Sequence, residues 1–80
     1  SDEIGILHTN LIERALTHVY GLINIDFKTT AQYILDNFKS EDYPIFSDVY
    51  DTIQAWLKEI VKQPHPDRAE IERHKVCLAF

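Results

Sequence analysis

The sequence predicts an all-α fold, a small bundle of three to four helices over approximately 3–23, 29–39, 44–62 and 67–80. Three observations lead there. Apolar residues recur every three or four positions through most of the chain, the period of one helix face. Prolines and short polar runs such as "SEDYP" and "QPHPD" cut that pattern into four pieces. Finally, no alternating polar–apolar stretch is long enough for a strand.

The first segment carries Ile4, Leu7, Leu11, Ala15, Val19 and Leu22 along one face, with Ile12, Leu16 and Ile23 widening it. So wide an apolar arc suits a central helix touching two others. His8 interrupts the arc and is expected to be a satisfied core or edge histidine near the helix start, while His18 is expected to be exposed. Gly21 and Asn24 are stop signals.

The second segment starts near Thr29, with Gln32 at capping-box spacing, and shows a narrow face of Ala31, Ile34, Leu35 and Phe38. The third opens at Pro44, a residue suited to a first helical turn. Its stripe is Phe46, Val49, Ile53, Trp56 and Ile60, flanked by Ile45, Leu57 and Val61. Asp48 and Asp51 early, with Lys58 and Lys62 late, complement the helix dipole. The fourth starts after Asp67, an N-cap type paired with Glu70. Its apolar residues divide into Ala69, Val76 and Phe80 on one side and Ile71 and Leu78 on the other, so the helix is expected to wedge between neighbours or to keep one edge for a partner.

Eighty residues make one domain near the lower size limit for independent folding. The start at Ser1 and the lack of any methionine are those expected of a trimmed or excised piece. A single cysteine forms no internal disulfide, so a reducing, cytoplasmic setting is expected. No apolar run reaches membrane-spanning length, and no secretory signal pattern is present. With eight basic residues, no run of them, and a net charge of −5, nucleic-acid binding is disfavoured. Phosphate-loop, nucleophile-elbow and metalloprotease motifs are all missing, so neither catalysis nor a cofactor is expected.

Three constellations carry chemistry. Glu70, His74 and Cys77 share one helical face at i, i+4 and i+7, a geometry for metal ligation or thiol activation. It lacks a paired ligand motif, so Cys77 is expected to be a small buried hydrophobe with Glu70 and His74 solvated. The closing "CLAF" matches the C-a-a-X form for prenylation, which requires Phe80 to be the native C-terminus. The upstream "ERHK" is not strongly basic, so the apolar end of a helix is the preferred reading.

The acidic middle is the third. Asp26, Asp36, Glu41, Asp42, Asp48 and Asp51 face only Lys28 and Lys39 between Asp26 and Ile53. Tyr33, Tyr43 and Tyr50 lie among them. Carboxylates steer a basic partner and aromatics supply contact area. The expected function is therefore a non-enzymatic protein-interaction or oligomerisation domain, regulating a basic partner or pairing with itself as a homodimer. Its contact residues are Asp36, Glu41, Asp42, Tyr43, Asp48, Tyr50 and Asp51, with Ile71 and Leu78 on the fourth helix. The alternatives are a metal- or thiol-dependent regulator using His74 and Cys77, and a helical DNA-associated regulator.

Overall fold

The computed structural model describes residues 5–79. Within them the chain is all-α: α1 (Ile6–Gly21), α2 (Ala31–Asn37), a 3-10 turn at Ser40–Asp42, α3 (Phe46–Val61) and α4 (Arg68–Leu78). Residues 3 and 4, expected in the first helix, and Phe80, expected in the last, lie outside the described residues.

Local chemistry sets each helix end. At the start of α1 the half-buried His8 ring accepts the Gly5 N–H through Nδ1 at 3.1 Å. His8 is thus an edge residue engaged in capping, rather than the centre of the apolar face. The other end closes on Asn24, whose φ of 64° lies in the left-handed region. The Ile25 N–H returns to the Tyr20 carbonyl at 3.0 Å and the Asn24 N–H to the Gly21 carbonyl at 3.0 Å. This is the Schellman pattern, with asparagine where glycine is commonest. It folds Ile25 inward, 9% exposed.

Two starts shift from their expected residues. The cap of α2 is Thr30, whose hydroxyl accepts the Tyr33 N–H at 3.1 Å. The Thr29 hydroxyl instead accepts the Asp26 N–H at 2.9 Å and closes the preceding turn. Likewise Pro44 stands one residue before the N-cap of α3, which is Ile45. There the Asp48 carboxylate reaches back to accept the Ile45 N–H at 2.7 Å. Asp67 caps α4 as expected, accepting from Ala69 N–H at 2.9 Å and from Glu70 N–H at 3.4 Å.

Three helices, α1, α3 and α4, pack against one another, and α2 packs against none of them. The core comprises Leu11, Ala15 and Val19 of α1, Val49 and Ile53 of α3, and Cys77 of α4. Ile12, Tyr20, Trp56 and Leu78 pack partly buried around it. Ala15 is fully buried, so its small side chain suits the close approach of the neighbouring helices. Ile60 and Ile71 are buried on either side of the short α3–α4 connection. Trp56 is half-buried, with the Arg14 guanidinium 5.1 Å from its ring centroid and the exposed His18 ring edge-on at 5.7 Å. The apolar stripe of α3 buries only its middle and end, because Phe46 remains 70% exposed.

The 22–45 segment stands off this bundle. It contains α2, which buries no residue, and a tilted aromatic series runs within it from α2 to the residue after the 3-10 turn. Tyr33 and Phe38 have ring centroids 6.2 Å apart, and Phe38 and Tyr43 6.1 Å apart.

Candidate functional site: an acidic-rimmed cleft

The aromatic series ends at Tyr43, and Tyr43 forms a wall of a surface concavity of about 460 Å³. Three elements build it. The end of α1 and the residues after it supply Val19, Leu22 and Ile23, an apolar floor. The 3-10 turn and the following residues supply Glu41, Asp42, Tyr43 and Pro44. The first turns of α3 supply Asp48, Asp51 and Thr52. The result is an apolar trough with four carboxylates around it.

Those carboxylates do not all have the same work. One oxygen of Asp42 accepts the Lys39 N–H at 2.7 Å and one oxygen of Asp48 accepts the Ile45 N–H at 2.7 Å. Each satisfies a backbone donor at a helix start and sits near the positive end of its dipole. Glu41 and Asp51 have no basic side chain within ion-pair distance among the described residues. Among the described residues, theirs is the rim charge not engaged in capping a helix start.

Of the residues singled out in the sequence, Glu41, Asp42, Tyr43, Asp48 and Asp51 come together in this cleft. Asp36 does not. Its carboxylate accepts from the Gln32 amide at 2.8 Å along α2. Tyr50 points elsewhere on α3, into a smaller, more enclosed pocket of about 90 Å³ with Ile12, Phe46, Val49, Ile53 and Cys77. The apolar edge expected on α4 is turned inward: Ile71 is 5% exposed and Leu78 packs against the core. In the isolated chain, then, Ile71 offers no surface to a partner. Sequence reasoning missed the cleft floor. Leu22 and Ile23 read as the core-facing end of the helical arc, whereas they form the closing turn just before Asn24, where Leu22 keeps its N–H on the His18 carbonyl and stays 70% exposed.

The Glu70–His74–Cys77 face also departs from expectation, because His74 is buried at 1% exposure rather than solvated. Its Nδ1 lies 2.7 Å from the Glu70 carbonyl oxygen, which only accepts, so Nδ1 carries the proton and donates. Nε2 is then a bare acceptor, buried with no partner among the described residues. Cys77 donates its thiol to the His8 carbonyl at 3.8 Å, linking the last turn of α4 to the first of α1. Burial raises the thiol pKa above its ordinary value of 9.0, against a smaller lowering by the charge of Arg73. A protonated thiol in the core is a poor nucleophile and a poor metal ligand. No three His, Cys, Asp or Glu side chains among the described residues are grouped as a metal site requires. The thiol that prenylation would alkylate is packed inside, and Phe80 lies outside the described residues. No helix among the described residues is long and apolar enough to cross a membrane. Comparison with protein-family models, with curated proteins and with solved structures finds no match to this chain.

Proposed function

We propose that this chain is a non-enzymatic helical interaction domain whose cleft receives a basic, partly apolar segment of a partner protein. The observation that carries the reading is the conjunction in one trough of an apolar floor (Leu22 and Ile23, over the buried Val19) with four carboxylates and Tyr43 on its rim. Apolar contact area supplies affinity while the rim charge selects and steers a cationic partner. A phosphate backbone is repelled by the same rim. The α1–α3–α4 core acts as the frame, holding the two walls at fixed separation.

A short amphipathic peptide of leucine and lysine tests this, with a leucine–glutamate peptide as its counterpart. The basic peptide binds the native chain, and reversing Glu41→Lys and Asp51→Lys together weakens it by roughly tenfold or more at low salt. Equal binding by the acidic peptide, or no loss in the double reversal, contradicts the reading. Asp48 is a poor choice for this reversal, because its carboxylate also holds the start of α3.

A further inference from the structure

Among the described residues, the most exposed large apolar side chain is Phe27, at 92%. It sits at the tip of a turn that is held rigid by its own hydrogen bonds. The Asp26 carboxylate accepts the Lys28 N–H at 2.8 Å, and the Thr29 N–H returns to the Asp26 carbonyl at 3.0 Å. Asp26 is therefore turned into the loop. Lys28 lies beside Phe27, with its ammonium 5.8 Å from the ring centroid, a cation–π arrangement. The tip thus presents an aromatic ring and a positive charge side by side, preorganised and in solvent. Because Phe27 is almost wholly exposed, it is not seated in the cleft of its own chain.

We infer that the partner of the cleft is a second copy of this chain, entering it with the Phe27–Lys28 tip. This rests on the reading of the cleft given above. The complementarity is chemical and runs both ways. Phe27 meets the apolar floor at Leu22 and Ile23, and Lys28 meets the carboxylates of Glu41 and Asp51. A copy that donates a tip also offers a cleft, so a two-fold axis closes the pair with two identical insertions. A cleft of about 460 Å³ is of the size that accepts side chains of this kind. A contact made only of two tips is small, so the pair is weak and forms at high concentration.

Sedimentation velocity over rising concentration, up to about 1 mM where weak pairs populate, tests this. The native chain shifts toward the dimer value as concentration rises. Phe27→Ser and Lys28→Glu each hold it at the monomer value with circular dichroism unchanged, since both side chains are exposed. Placing Asp51→Lys together with Lys28→Glu in one chain restores the shift, which loss of folding would not do. A chain that stays monomeric yet binds the leucine–lysine peptide overturns the self-pairing and leaves the cleft reading standing. Self-association that ignores both single variants, or a charge swap that restores nothing, also overturns it.

Discussion

Two buried residues of α4 carry opposite consequences for stability. His74 has one nitrogen bonded to Glu70 and one buried without a partner among the described residues. The Glu70 carbonyl still accepts the intrahelical backbone N–H when the imidazole is removed, so an apolar residue of similar volume strands no partner. His74→Leu is therefore expected to change unfolding free energy by less than about 1.5 kcal/mol, or to raise it. His74→Ala opens a cavity and should cost about 2 kcal/mol or more. Urea unfolding of both variants measures this, and an equal loss in the two would mean that Nε2 has a partner. Cys77 gives a pH signature. Its folded pKa lies above the unfolded one, so the folded chain keeps the proton where the unfolded chain loses it. The contribution is complete below the ordinary thiol value and is lost as pH rises through the folded value. As pH rises above the ordinary thiol value, the native chain should lose more stability than Cys77→Ala does. Parallel losses would remove the thiol as the cause.

At the scale of elements, the caps separate structural carboxylates from those available to a partner. Asp67→Ala and Asp48→Ala each remove an acceptor at a helix start and should cost about 1 kcal/mol, within a range of roughly 0.5–2. Asp51→Ala should stay within about 0.5 kcal/mol. Denaturant midpoints for the three variants check the division, and a costly Asp51→Ala would contradict it. These ends also mark how far the sequence could be read. The periods of α1 and α3 were plain because each buries a face through several turns, and Asp67 was plain because no other cap type stood near it. Thr29 and Thr30 are equivalent by composition, and only the turn made by Asp26 decides between them. Ile71 could not be assigned from the helical wheel of α4, because two neighbours, α1 and α3, bury more than one side of that helix. His74 was misread for the same reason. α2 is the reverse case, a short helix with an apolar pattern that finds no helix to cover it.

For the whole molecule, that arm is the largest departure from a compact bundle. The radius of gyration is 14.9 Å, against about 12 Å for a compact chain of this length. A seven-residue helix is far below the ~12–15 residues at which isolated helices become stable in water. Its persistence here depends on its caps and on the contact of Phe38 with Tyr43. The same contact fixes the wall of the cleft, so the arm and the cleft form one structural unit beside the frame. The carboxylates that were visible as a cluster in the sequence rim a cleft because the end of α1 places Leu22 and Ile23 beside them. The central claim is that this trough, and not the acidic surface in general, receives a cationic apolar segment. Amide chemical shifts recorded while the leucine–lysine peptide is titrated into the isotopically labelled chain test it most directly. The account expects the changes to centre on Val19, Leu22, Ile23, Glu41, Tyr43 and Asp51, and to vanish there in the Glu41→Lys, Asp51→Lys chain. Changes spread evenly over every acidic position, Asp36 and Glu59 included, would contradict it.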